Sequence, residues 1–216
     1  VTTVNQCRLA GAVTLGKGNT SETLPEGETN QNVHWVHHDG VGYLFPQESL
    51  VSLATGTRTG TWTRISAQRS DRTVTDSVFS LDLPHGTTPK AKEYAYAIYP
   101  QKDATDMPNL TQNPSFEVVA NSAQHQAVWS KNDQALGIVF HQPGKIQAAG
   151  WQIETGRPCV ALLRNENNMW TLSIADPTAG DGTVNLTVQQ NDETPRQIIV
   201  TLPTGLKAGS SVHTEL

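Results

Sequence analysis

No stretch of this chain holds an apolar repeat of 3.6 residues for three turns. Short runs rich in Val, Ile, Thr, Tyr, Phe and Trp recur instead, separated by Asp-Gly, Asn-Pro, Pro-Gly, Thr-Gly and Gly-Asp pairs. The runs include VHWVHH, VGYLF, TGTWTRIS, TVTDSVFSLDL, EYAYAIYP, SFEVVAN, HQAVWS and ALGIVFH. Breakers at such close intervals predict an all-β, antiparallel architecture. EYAYAIY alternates, with Tyr94, Tyr96 and Ile98 on one face, and predicts a strand partly covered on both faces. NSAQHQAVWSKN is flanked by strand-like runs and reads as part of a hairpin. Only 36% of residues are hydrophobic and 16% charged; Thr, Ser, Asn and Gln fill the difference, as many strands with polar turns require.

The 216 residues suit one large domain or two small ones. Residues 16–32, GKGNTSETLPEGETNQN, read as a long polar loop, functional or mobile. Pro143 and Gly144 form a turn, after which five evenly spaced runs follow: WQIET, PCVALLRNE, MWTLSIAD, TVNLTVQQ and RQIIVTLP. That spacing predicts a small antiparallel sandwich over residues 147–216, with a separate β domain over 1–146.

The formal charge of −5, from 15 basic and 20 acidic residues without a basic block, argues against a nucleic-acid-binding chain; any polyanion site would have to be local. No apolar run of about 18 residues exists to span a membrane as a helix. Cys7 and Cys159 are too widely separated for a C-x-x-C motif, and one disulfide between them is neither required nor excluded. The chain starts at Val1 within a strand-like run, which predicts a fragment or mature piece of a longer protein.

The densest group of reactive side chains is HWVHHDGVGYLFP, residues 34–46. Asp39 and Gly40 specify a two-residue type I′ hairpin turn, which sets His38 opposite Val41 and Val36 opposite Tyr43. Alternation then sends His34 and His38 to one face and His37 to the other with Trp35. His34 and His38 would lie about 13 Å apart, too far to share an ion. His37 and Asp39 lack a third ligand, so no metal site is predicted. His85 falls in a turn-rich loop, and His125 and His141 in short strands, none with an evident acid/base partner. Residues 176–183, DPTAGDGT, lack the EF-hand spacing and read as a turn. The five tryptophans, Trp35, Trp62, Trp129, Trp151 and Trp170, are spread one per element, as core anchors are; a sugar platform is the rarer reading.

Taken in order, TTVNQC, HWVHHDGVGYLFP, TGTWTRIS, LPHGTTPKAKEYAYAIYP, FEVVANSAQHQAVW and GRPCVALLRNENNMWTLSIADPT resemble the C-terminal β region of polysaccharide lyase family 8, which includes hyaluronate, chondroitin and xanthan lyases. The resemblance covers nearly the whole chain. It implies the later part of a β supersandwich over 1–146 and a small terminal β-sandwich over 147–216. It also implies a helical toroid domain N-terminal to both.

The reaction implied is β-elimination at a uronic acid in a glycosaminoglycan such as chondroitin sulfate or hyaluronan. In such enzymes the C5 carboxylate is neutralised and a tyrosine takes the C5 proton. Histidine, asparagine and arginine on the toroid assist, with a glutamate near the start of the supersandwich. None of those motifs occurs here, so no catalytic residue is assigned, no substrate-binding residue is named, and no cofactor is implied. The expected role is structural support for the cleft of a secreted or periplasmic lyase. Its partners would be the missing toroid and, through the full-length enzyme, the polysaccharide. Alone the chain should be inactive. One rival reading is a non-catalytic carbohydrate-binding or cell-surface sandwich, for which two or more exposed tryptophans would speak. Another is an independent enzyme using His37, Asp39 or His85, for which convergence in one pocket would speak.

Overall fold

A computed structural model describes residues 1–17, 20–90 and 92–216. The chain divides into two compact units, Val1–Pro114 and Ser115–Leu216.

The first unit is built on one antiparallel sheet. Its strands are β1 (Thr2–Arg8), β2 (Thr14–Lys17), β3 (Thr20–Thr23), β4 (Gly27–His38), β5 (Val41–Thr61), β6 (Thr73–Leu83) and β7 (Ala97–Pro100). Spatial order is β1-β6-β5-β4-β2-β3, with β7 added alongside β5. The 21-residue β5 pairs with β4, β6 and β7 along different parts of its length. Val33, Val36, Tyr43, Phe45, Val51, Leu53, Phe79 and Leu81 form the core on one face. Trp35 and Leu44 alternate with these residues and are also buried, so the sheet is covered on its second face around the 39–40 hairpin, while Asn30, Asn32 and Leu50 farther along that face are exposed. A short helix, α1 (Met107–Gln112), lies against β4 and β5 there, and its Met107 is fully buried.

Two glycines fit that second face. A Cβ on Gly16 would lie 2.3 Å from the Trp35 indole, and one on Gly42 would lie 2.3 Å from the Met107 sulfur. Both strands can therefore carry a large neighbouring side chain flat against the backbone.

The second unit is a two-sheet sandwich. Strands β8 (Phe116–Asn121), β9 (His125–Ser130), β10 (Ala135–Phe140), β13 (Cys159–Glu166), β14 (Met169–Ala175) and β17 (Val212–Glu215) form a six-stranded sheet in the order β17-β14-β13-β10-β9-β8. Strands β11 (Gly144–Ala148), β12 (Trp151–Thr155), β15 (Thr183–Gln190) and β16 (Arg196–Thr201) form a four-stranded sheet in the order β11-β12-β15-β16. Alternate residues of both sheets share one core: Leu136, Ile138, Phe140, Leu163, Leu172 and Ile174 from the larger, and Ile146, Ile153, Val184, Leu186, Val188 and Val200 from the smaller.

The all-β architecture and the 39–40 hairpin agree with the sequence. His38 pairs with Val41 and Val36 with Tyr43, and Asp39 and Gly40 have φ of 47° and 72°, the positive values of a type I′ turn. The five strands expected after residue 150 are all present.

Several expectations are corrected. The division between units falls after Pro114, not at residue 147, because β10 hydrogen-bonds to β13 across that point and carries β8 and β9 into the same sheet. Residues 16–32 are mostly strand rather than loop: they hold the end of β2, all of β3 and the first half of β4, with Gly18 and Asn19 outside the described residues. Backbone pairing of Gly27–Asn32 with Leu50–Thr55 fixes that polar half of β4, since Val51 and Leu53 of β5 already supply the core. The predicted strand at 93–99 is paired only from Ala97, and Ile98 is half exposed rather than covered. TGTWTRIS is not all strand: β5 ends at Thr61 and Trp62–Arg64 form a 3-10 turn.

Replacing Gly16 by Ala forces a methyl into a rigid buried indole and should cost about 1–3 kcal/mol of stability. Gly42→Ala meets only the flexible end of Met107 and should cost less. Urea unfolding of the two variants checks the order; equal losses would mean that Trp35 does not set the packing of this face.

Candidate functional site

The histidines of the 34–38 run do not converge. A β-bulge between Val33 and Trp35 interrupts the β4–β5 register at His34, so Val33 rather than His34 takes the core-face place two steps from Val36. His37 lies on the opposite face from His38, and its Nε2 bonds to the Lys102 carbonyl at 2.8 Å. His38 is almost fully buried, at 1% exposure, with its ring 4.6 Å from that of Phe79. The bulge left no signature that strict alternation could read. Among the described residues no three His, Cys, Asp or Glu side chains gather as metal ligands.

His38 is part of a polar network that the sequence did not reveal. The backbone N–H of Ala10 donates to His38 Nε2 at 3.0 Å. That leaves the ring proton on Nδ1, which faces the Cys7 sulfur at 3.6 Å. Asn5 Nδ2 donates to the Cys7 sulfur at 3.4 Å and to the Tyr43 hydroxyl. A cysteine beside a histidine invites comparison with a nucleophile and its base. The chemistry runs the other way. Burial raises the Cys7 thiol above its ordinary value and, with a smaller effect from Asp39 in the opposite direction, lowers His38. The nitrogen turned toward sulfur already holds a proton, so it cannot take one. Burial likewise raises the Tyr43 phenol, which makes it a weaker acid that keeps its proton rather than a phenolate poised as a base. These four residues fasten β1 to β4, β5 and the turn at Ala10.

The remaining candidates lie elsewhere in the two units. His85 Nε2 bonds to Thr2 Oγ1 at 2.7 Å, and its ring stacks on Tyr94 at 5.3 Å, which stacks in turn on Tyr96 at 6.4 Å. His125 packs edge-on against Phe140 at 5.4 Å, and Gly144 leaves room for its ring. His141 is exposed. Asp176 is buried at 5% exposure; its carboxylate accepts from the Thr178 N–H at 2.9 Å, the Thr178 hydroxyl at 2.6 Å and Arg157 Nη2 at 2.8 Å. The Thr178 hydroxyl above all, with its N–H and Arg157, holds that carboxyl below its ordinary value. Arg157 thus fills the place a cation would need in the 176–183 turn. Cys7 and Cys159 are both free thiols.

Four tryptophans are wholly or partly buried. Trp35 and Trp151 have 0% and 2% exposure, Trp170 lies 5.1 Å from Trp151, and Trp129 packs on the second core. Trp62 is 53% exposed at the β5–β6 connection. It lines two shallow grooves. One, of 530 Å³, is bounded by Ile65, Ser66, Arg69 and Ser70; the other, of 510 Å³, by Ser70, Arg72, Thr73, Val74 and Thr75. The signal for this surface was in the sequence, where Arg58, Arg64, Arg69 and Arg72 fall within fifteen residues, but whole-chain acidity masked it. A platform of two exposed tryptophans does not form among the described residues.

A large antiparallel sheet followed by a compact two-sheet sandwich defines an all-β protein of two units. The family profile described as "Polysaccharide lyase family 8, super-sandwich domain" matches residues 1–111, and that described as "Polysaccharide lyase family 8, C-terminal beta-sandwich domain" matches residues 117–185. The chain belongs to polysaccharide lyase family 8. It is 31% identical to the chondroitinase-AC of Pedobacter heparinus over 188 residues, which cover 87% of this chain and 27% of that enzyme. It is 29% identical to a hyaluronate lyase of Thermasporomyces composti, over 85% of this chain and 23% of that one. A solved chondroitinase AC lyase superposes with a TM-score of 0.90 at 28% identity, over 98% of this chain and 32% of its own. A Paenibacillus xanthan lyase shares the fold, with a TM-score of 0.86 at 19% identity over 99% of this chain and 23% of its own. The chain therefore spans about a quarter of the length of the curated relatives it matches.

Folding holds His38 neutral, so its pKa lies below the ordinary 6.5. The unfolded chain takes up the proton first as pH falls through that value, and the first unit loses stability from there down to the folded pKa. His38→Gln keeps an acceptor for Ala10 without titrating. The stability gap between parent and H38Q, measured by denaturant unfolding, should be narrower at pH 5.5 than at pH 7.5. A gap that widens on acidification would contradict a neutral buried imidazole. Cys7 in a Cys159→Ser background should react with a disulfide reagent more slowly than a free thiol at neutral pH, and a faster reaction would revive the nucleophile reading.

Proposed function

We propose that this chain is the C-terminal β portion of a polysaccharide lyase that cleaves a uronic-acid-containing glycosaminoglycan, of the chondroitin sulfate or hyaluronan type, by β-elimination. In this reading the part seen here braces the cleft and supplies none of the reacting groups. The single observation that carries it is the likeness in fold and sequence to a chondroitinase AC lyase along nearly the whole chain.

β-Elimination needs a base at the C5 proton and a neutralised C5 carboxylate, so that negative charge can build on the enolate. The described residues favour a support role on that score. His38 and Cys7 are tied into a neutral network, Tyr43 is held protonated, and Asp176 is bound by Arg157. The acid/base and charge-neutralising groups are assigned to the helical toroid of the longer protein, the chain's natural partner. Paired strands over packed cores give such a domain a rigid surface to sit on. A substrate polymer too large to enter a cell places the enzyme outside the cytoplasm, secreted or periplasmic.

Chondroitin sulfate, hyaluronan and xanthan offered to the isolated chain should give no rise in the ultraviolet absorbance of unsaturated uronate. The same chain joined to its N-terminal helical region should produce that rise with at least one of them. Turnover by the isolated chain, or none by the joined polypeptide, would overturn the reading.

A further inference from the structure

The β5–β6 connection differs from the rest of the chain in charge, exposure and pairing. β4 leaves β5 at Thr55, and β1 leaves β6 at Val78. From Arg58 and Asp76 outward the two strands pair, among the described residues, only with each other, over the rungs Arg58–Asp76, Thr59–Thr75, Gly60–Val74 and Thr61–Thr73. The tip of this ribbon is ordered by its own turns. The Ile65 and Ser66 N–H groups both donate to the Trp62 carbonyl at 3.0 Å, the Arg69 N–H donates to the Ser66 carbonyl at 3.0 Å, and the Arg72 N–H donates to Ser70 Oγ at 3.1 Å. The two grooves beside Trp62 are thus formed before anything enters them.

The charges on this tip are unspent. Arg58 is paired with Glu28, but Arg64, Arg69 and Arg72 are exposed and make no ion pair among the described residues. Only one carboxylate, Asp71, lies among them in sequence. In a chain of net charge −5, Arg69 and Arg72 line the grooves with the exposed Trp62 indole, and exposed Arg64 ends the 3-10 turn that Trp62 begins, a local positive surface with an aromatic floor. Guanidinium groups match carboxylate and sulfate oxygens in bidentate fashion, and an indole face receives the C–H face of a pyranose ring.

We infer that Trp62 with Arg64, Arg69 and Arg72 is a binding site for an anionic polysaccharide carried on this chain itself. The choice of a sugar polymer over another polyanion rests on the reading given under Proposed function. The flanking Ser66, Ser70, Thr73 and Thr75 supply hydroxyls for sugar hydroxyls, and Ile65 and Val74 widen the apolar floor.

The test is binding by the isolated chain, which needs no catalysis. Chondroitin sulfate and hyaluronan should retard the chain in affinity electrophoresis and weaken their hold as salt rises, while neutral dextran should not retard it. Trp62→Ala and the triple variant Arg64→Ala/Arg69→Ala/Arg72→Ala should each weaken retardation roughly tenfold or more. Arg196→Ala, an exposed arginine of the second unit, should bind like the parent. Unchanged binding in both tip variants would overturn the inference. So would equal or tighter binding of single-stranded DNA, which would make the surface a general polyanion patch. So would Trp62 shielded from iodide quenching in the polypeptide joined to its helical region, which would make the tip a docking surface between domains. A parent chain that is not retarded, with turnover intact in the joined polypeptide, would remove this site alone; absence of turnover would remove the lyase reading and leave the binding result standing.

Discussion

Backbone pairing along β5 is the constraint on which the first unit depends. One strand of 21 residues meets β4 on one side, β6 on the other and β7 beyond the hairpin turn, so its register sets three others. A one-residue slip would exchange Val51 and Leu53 for Leu50 and Ser52 in the core. The type I′ turn at Asp39 and Gly40 prevents that slip at one end, and Trp35 seated against Gly16 locks the neighbouring strand from the second face. Polar stretches such as the first half of β4 become strand because β5 is already there to pair with them.

That dependence explains what could and could not be read beforehand. Asp39 and Gly40 announce a turn by local chemistry, and ALGIVF and VALLRN announce strands by period, so both were legible. The division after Pro114 was not, because it is made by β10 pairing with β13, a contact between segments some twenty residues apart with a turn and two strands between them. Residues 16–32 carry Gly, Asn and Thr without an apolar face, and only a partner strand makes them extended. The bulge at His34 is one extra residue with no compositional mark, yet it decides which histidine reaches the core. The network of Asn5, Cys7, His38 and Tyr43 joins three strands and could not be assembled from any one of them. The arginines near Trp62 were visible in order along the chain; their significance needed the exposure of the indole between them.

The site chemistry follows the same logic of burial. Where His38 and Cys7 meet, desolvation favours the neutral form of each, and the hydrogen bond from Ala10 fixes the imidazole in the tautomer that cannot accept the thiol proton. Proximity of reactive types is not reactivity in itself; protonation state decides whether it amounts to it. Cys7, His38 and Tyr43, whose proton affinities burial shifts, are among the groups that fasten strands together. The exposed tip, by contrast, keeps its charges available.

The clasp between Arg157 and Asp176 has a consequence for how the terminal sandwich ages in an acidic medium. It binds the turn after β14 to the segment between β12 and β13, with Arg157 also donating to the Asp181 carbonyl at 3.0 Å. A carboxyl held below its ordinary value surrenders its proton-free form late, so this fastening outlasts the pH at which most surface carboxylates have been neutralised. Acid should therefore neutralise the exposed carboxylates of the sandwich before it releases this one seam.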